Sequence, residues 1–254
     1  MNKYLIVMLL CTLTGFSQDL SDKPVPKSCK QLIIVITDSA KSTKGELVCF
    51  ERKDNDLDWV KVGDELPVVI GKNGLGWGMG LNLIDSLSLP VKVEGDGRSP
   101  AGIFELGAAF GYATKEEMKG LKIPYIPVTE DCECVDDADS KYYNKIVYRN
   151  AVADTDWVSS EKMRFADIWY EQGVVINQNS NPVEAGKGSC IFLHNWSTPD
   201  ETTAGCTEVE PKELTEIIFW LDHSANPIIV QLTKELYYKY QKSWELPRLD
   251  CKGE

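Results

Sequence analysis

QLIIVITDSAKSTKGELVCFERK, residues 31–53, decides the fold class. Residues 31–39 form an apolar, β-branched run of strand length, and GELVCFERK (45–53) reads as its partner, with Lys44-Gly45 near the turn. The short DLDWVKV segment (56–62) continues the pattern, so the folded part opens as a β-meander. Further along, AGIFEL (101–106), GVVINQN (173–179), SCIFLHNW (189–196) and NPIIVQL (226–232) are also strand-like runs. One helix is well marked. Pro211 suits a first helical turn, and Leu214, Ile217, Ile218 and Leu221 follow at i, i+3, i+4 and i+7. EKMRFADIWYEQG (161–173) reads as a second, short helix stopped by Gly173, and the tail as room for another. The expected class is therefore mainly β with a few helices (α+β), in one domain over residues 31–240. A polar tether precedes it at 18–30 and a C-terminal tail follows at 241–254.

Residues 1–17 combine Lys3, an apolar stretch from Tyr4 to Leu13, and the small residues Gly15 and Ser17. That is the layout of a secretory signal peptide cleaved after Ser17, so the chain is expected to be exported to the periplasm or cell envelope. The apolar stretch is shorter than the roughly 20 residues a membrane span needs, so no membrane anchor is expected. The chain carries a net charge of −12, and removing Lys3 makes it one unit more negative. Such an acidic surface argues against nucleic acid and anionic membranes as partners.

Export also changes how the cysteines read. Beyond the signal there are seven, Cys29, Cys49, Cys132, Cys134, Cys190, Cys206 and Cys251. An odd number in an oxidising compartment leaves one thiol outside any set of up to three bridges. Zinc does not fit the spacing, since there is no C-x-x-C pair and Cys132-Glu133-Cys134 is too tight. The acidic loop DCECVDDADSKYYN (131–144) lacks the residue order of a calcium hand. No metal or cofactor is expected. IGKNGLGWGMG (70–80) has no GK[ST] and no strand–turn–helix context, and so reads as a tightly bending loop.

The chemistry concentrates in CIFLHNWSTPDETTAGCTEVEP (190–211). One of only two histidines, His194, ends a strand-like run twelve residues before Cys206. The other, His223, sits near a helix C-terminus, where a partial positive charge is favourable. A cysteine is a nucleophile only as thiolate, and a nearby imidazole can take its proton. Gly205 leaves room for a substrate, and backbone N–H groups around Gly205 and Cys206 are candidates for holding an oxyanion. The pair suits acyl transfer through a thioester.

His194 followed by Thr203-Ala204-Gly205-Cys206 resembles the catalytic signature of the L,D-transpeptidase (YkuD-type) family. NGLGWGMGL (73–81), EGDGRSPAGIFELGAAFGYA (94–113), CVDDADSKYYN (134–144), GSCIFLH (188–194) and the closing WLD…PIIVQL extend the likeness over roughly residues 65–235. The resemblance implies a β-sandwich-like catalytic domain and an exported enzyme acting on peptidoglycan stem peptides. There the cysteine attacks a stem carbonyl, terminal D-alanine leaves, and an amine of another stem resolves the thioester as a 3→3 cross-link. It further implies Cys206 as nucleophile, His194 as base and then acid, and Gly205 at the oxyanion surface; a monomer without cofactor is expected. Arg98, Arg164, Trp77 and Thr203 are the candidate substrate-binding residues. Two alternatives use the same residues differently. One is a carboxypeptidase-like hydrolase or an enzyme that frees wall-attached protein; the other is a non-catalytic, disulfide-braced wall-binding protein. The chain departs from the family where a histidine or arginine usually follows the cysteine, since Thr207-Glu208 stands there. A cation for the substrate carboxylate must then come from elsewhere, and Arg98 and Arg164 are the candidates. Cys134 or Cys190 is expected to staple the fold near the site.

Overall fold

The computed structural model describes residues 25–53, 58–165 and 168–249. The proposed signal segment, Cys251 and the end of the tail lie outside these residues.

The meander is present. β1 (Gln31–Thr37), β2 (Lys44–Glu51) and β3 (Val60–Val69) pair antiparallel in sequence order. β4 (Leu75–Trp77) and the long β5 (Ser99–Gly111) follow, with β6 (Tyr125–Pro127) on the flank of β5. A small sheet comes next, made of β7 (Cys132–Cys134), β8 (Ile146–Tyr148) and β9 (Glu161–Lys162) in the order β8-β7-β9. The main sheet resumes with β10 (Gln172–Ile176), β11 (Phe192–Asn195) and β12 (Thr207–Val209). Helix α1 (Pro211–Trp220), strand β13 (Ile228–Thr233) and helix α2 (Lys234–Tyr240) complete the described chain, with single 3₁₀ turns at 149–151 and 223–225. The class is mainly β with few helices, and no helix among the described residues is long and apolar enough to cross a membrane.

The main sheet closes on itself. From β10 the pairing runs through β11, β12, β3, β2, β1, β13 and β5, and β5 pairs back onto β10, giving a ring of eight strands. Side chains alternate across each strand. Thr207 on β12 hydrogen-bonds Gln231 on β13 at 2.5 Å although the two strands are not neighbours, so Thr207 points into the ring. Leu193, opposite Thr207, points the same way, and both sit in a continuous apolar or satisfied interior. Phe192, His194 and Glu208 therefore face outward. The small sheet covers that outer face, and its Cys132, Cys134 and Met163 pack with Phe110, Tyr170, Phe192 and Cys206 in a second buried cluster.

Several sequence expectations are corrected. The described residues of 161–173 are not a helix: Glu161–Lys162 pair with β7, and Gln172-Gly173 begin β10. Gly173 explains part of this, because a Cβ there would lie 2.3 Å from the Phe110 ring. That close crossing of β10 over β5 needs glycine as a packing residue, not as a helix stop. The 131–144 segment is strand at β7 rather than wholly loop. Part of the tether is docked: Val25 and Cys29 are buried, and Arg52 donates to the carbonyls of Cys29 (2.6 Å) and Pro26 (2.7 Å). Trp244 and Leu246 likewise bury the start of the tail.

Candidate active site

β11 and β12 run parallel, with Leu193 opposite Thr207 and His194 opposite Glu208. This register sets Cys206 beside Phe192 at the outer surface of the ring. The Phe192 N–H donates to Cys206 Sγ at 3.3 Å, and the thiol points at the Cys190 carbonyl oxygen, 3.5 Å away. The Cys206 backbone is pinned from the other side, because its carbonyl accepts from the hydroxyls of Thr203 (2.7 Å) and Ser99 (2.9 Å). Cys206 is a free thiol, while Cys134 and Cys190 form a bridge that ties the small sheet to the strand leading into β11. The pairing falls on both cysteines expected near the site. Cys29, Cys49 and Cys132 are also free and buried, so the described residues hold one bridge and four thiols instead of a full disulfide framework.

His194 is buried, and its Nδ1 lies 2.9 Å from the Asn195 carbonyl oxygen. Its Nε2 faces Glu208 Oε1 at 3.7 Å. Tyr170 packs edge-on against both His194 (5.0 Å between centroids) and Phe192 (5.6 Å), and so joins the imidazole to the sulfur's cluster. The sulfur and the imidazole share the face but are not hydrogen-bonded to each other among the described residues, since the thiol's partners are Phe192 and Cys190.

Burial dominates the electrostatics. It pushes the Cys206 thiol well up, helped by the negative charges of Glu161 and Glu208 and opposed by the Phe192 N–H and the Lys92 ammonium. Burial brings the His194 imidazole down to about 4, against the backbone oxygens of Asn195 and Trp169. It raises the carboxyls of Glu161 to about 7 and Glu208 to about 8. At neutral pH the thiol, the imidazole and the Glu208 carboxyl are accordingly uncharged together. This is the expected outcome where titratable groups are desolvated without strong partners. Once a proton reaches the imidazole, the oxygens of Asn195, Trp169 and Glu208 are in place to stabilise it.

The other candidates take different roles from those expected. The Gly205 N–H donates to Thr203 Oγ1 at 3.0 Å, so it is committed to the turn and not to an oxyanion. A Cβ on Gly205 would meet the Arg98 carbonyl at 3.1 Å and Lys92 Nζ at 3.4 Å, so its bare face packs against protein instead of admitting substrate. Thr203 organises the turn, its hydroxyl accepting from the Gly205 N–H and donating to the Cys206 carbonyl. Trp77 is fully buried, donating from Nε1 to Ser88 Oγ and packed on Tyr240, and it belongs to the core. Arg98 spends Nη1 on the carbonyls of Asn73 (2.6 Å) and Leu75 (3.3 Å). Arg164 lies over the Tyr112 ring at 3.9 Å, near Glu130. Neither arginine is brought to the sulfur by these contacts.

The residue that supplies positive charge is Lys92. Only 4% exposed, it binds Asp96 at 3.0 Å and the Arg98 carbonyl at 2.7 Å beside Gly205. Its sequence signal was slight, a lysine four residues before an aspartate in KVEGDGR. Ser99, Glu161 and Tyr170 were also missed. A cleft of about 370 Å³ opens beside the site between the outer face and the small sheet, lined by Ala108, Ile126, Ile146, Val175, Phe192 and the Cys134–Cys190 bridge. Among the described residues, no group of three or more His, Cys, Asp or Glu side chains is arranged to hold a metal. Comparison with known proteins matched no family model, no curated protein and no solved structure.

Proposed function

We propose that the chain is an exported cysteine acyltransferase of the L,D-transpeptidase kind, forming a thioester on Cys206 with peptidoglycan stem peptides. The observation that carries the reading is a free thiol, held by a backbone N–H at the start of β12, with an imidazole on the same outer face of the adjoining strand. The residue set quoted from the sequence supplies the substrate class, and the sandwich-like form expected of that family belongs to the same proposal. In this reading Cys206 attacks a stem carbonyl as its proton passes to His194, whose imidazolium then protonates the departing amine. The two hydroxyls on the Cys206 carbonyl keep the sulfur's backbone fixed through both halves. The resting uncharged state fits a nucleophile activated only when substrate fills the site, since catalytic hydrogen bonds are often loose before substrate binds.

The test is to incubate the purified protein with a tetrapeptide stem ending in D-alanine, with and without an amine acceptor. Stem dimer is the expected product, and Cys206→Ala gives none. Free tripeptide alone, even with the amine present, would assign hydrolysis in place of transfer. Unchanged product from Cys206→Ala would remove the thioester altogether.

A further inference from the structure

We propose that Glu161 receives the protonated amine that serves as acyl acceptor and removes its proton before attack on the Cys206 thioester. The inference rests on the acyl-transfer reading above and adds to it a catalytic residue and a ligand class, a primary ammonium.

Position is the first argument. Glu161 stands directly opposite Cys134 in the small sheet; Cys134 is bridged to Cys190, and the Cys190 carbonyl touches Cys206 Sγ. Its Oε1 accepts from Tyr170 Oη at 2.5 Å, and the Tyr170 ring packs on His194. Glu161 is thus linked to the imidazole through Tyr170 and to the sulfur through the Cys134–Cys190 bridge. Among the described residues no donor reaches its Oε2, and no lysine or arginine pairs with it. Glu161 as a residue keeps some exposure while burial dominates at its carboxyl; Cys206 and His194 are buried.

Charge is the second argument. The Tyr170 hydroxyl is the one group bonded to the Glu161 carboxyl, the charges of Asp136 and Glu94 act on it, and its own charge acts on the Cys206 thiol. Asp136 Oδ1 is buried without a hydrogen-bond partner, while Glu94 accepts from Tyr143 and Ser189. A wall of this sign repels a carboxylate and attracts an ammonium. Burial, opposed by the Tyr170 hydrogen bond and supported by the neighbouring acids, leaves the carboxyl at about 7, the range in which a base works at neutral pH.

The chemistry requires such a group. An alkyl amine with a pKa near ~10.4 is almost wholly ammonium at neutral pH and has no lone pair to attack with. After acylation His194 is neutral, its proton having left with the departing amine. The entering ammonium then gives one proton to Glu161. The freed lone pair forms the C–N bond, and the carbonyl π pair moves to oxygen. On collapse the C–S bond breaks with its electron pair on sulfur. A second nitrogen proton crosses through His194 to that sulfur, restoring the thiol, and Glu161 releases its proton to water.

Two acceptors separate the roles in the full-length protein given a tetrapeptide stem donor. Nα-acetyl-lysine must lose a proton before it reacts, whereas hydroxylamine is already unprotonated at neutral pH. Glu161→Gln is expected to lower transfer to Nα-acetyl-lysine about 10²-fold or more while changing transfer to hydroxylamine less than about threefold. In the wild type, transfer to lysine rises with pH and levels off above about 7 once Glu161 is ionised, whereas in the variant the slower transfer keeps rising with the free-amine fraction toward ~10.4. Tyr170→Phe, which keeps the carboxylate, retains the preference between acceptors. Equal loss with both acceptors, or unimpaired transfer to lysine, overturns the proposal. Hydroxylamine transfer reports on folding in each variant. Failure of the wild type to release D-alanine in a single turnover sinks the acyl-transfer reading itself, a result distinct from normal acylation with an indifferent Glu161→Gln.

Discussion

Two carboxylates on neighbouring strands of the small sheet, Glu133 on β7 and Glu161 on β9, have opposite fates. Glu133 lies on β7 with no exposure, yet Arg149 holds it through two bonds at 2.6 and 2.7 Å. Lys162, Ser160 (2.7 Å) and Trp157 (3.1 Å) add further donors. The Arg149 hydrogen bonds lead in holding its carboxyl far below the usual range, against the cost of burial. Glu161, across the ladder from Cys134, has one donor, and Glu208 beside His194 has an imidazole at 3.7 Å; both carboxyls are pushed up. The outward side of the small sheet thus carries a permanent charge that locks it together. Its inward side carries Glu161, whose carboxyl has a single donor and is pushed up to about 7. Solvation by the protein decides which carboxylate is structural and which is chemical.

The comparison can be broken from the structural side first. Arg149→Ala strips two donors from a fully buried charge and is expected to cost about 3–5 kcal/mol in denaturant unfolding. A loss below about 1 kcal/mol would mean that Lys162 and the remaining donors suffice. The sign of its pH dependence follows from the depressed carboxyl. The contribution of Glu133 is complete above the unfolded-state value near ~4.3 and disappears as pH falls toward its folded value.

On the chemical side, His194→Ala is expected to slow acylation of Cys206 by roughly 10²–10⁴-fold, as measured in single-turnover assays on folded protein. A rate within a factor of about three of wild type would assign the thiol's proton to another group.

The smallest effect sharpens the contrast. Glu208 stays protonated in the fold up to about 8 but ionises near 4.5 when unfolded. The unfolded state therefore binds fewer protons between these values, and stability falls as pH rises through that window, by at most about 1.4 kcal/mol per pH unit. Glu208→Gln should flatten this slope in thermal melts recorded from pH 5 to 8, and an unchanged slope would show that Glu208 is already ionised in the fold.

Local patterns made much of the scaffold legible. The run at 31–37 is a strand because burial on both faces tolerates continuous β-branched sequence, the run at 45–51 buries only Leu47 to Phe50, and α1 follows its Leu214-Ile217-Ile218 stripe. His194 and Cys206 stood out as a pair, and Cys134 or Cys190 was expected in a bridge near them, but that the two pair with each other was not legible. Ring closure was not, because the pairings of β5 with β10 and β12 with β3 join residues far apart in sequence. EKMRFADIWYEQG deceived for a related reason. Its Glu161 and Lys162 satisfy partners in β7, and Gly173 makes room for Phe110, neither of which its own periodicity can show. Lys92 and Glu161 act on the sulfur only once the small sheet and the 90–98 turn are folded against it. Conversely, Trp77 and the arginines stood in suggestive positions but are consumed by Ser88, backbone carbonyls and Tyr112.

The most direct trial of the account is intact-mass analysis of the native, unreduced protein after exposure to a carbapenem, followed by peptide mapping. One covalent adduct on Cys206, slowed in His194→Ala and absent from Cys206→Ala, is the predicted result. No adduct, or one on Cys132 with Cys206 unmodified, would contradict it.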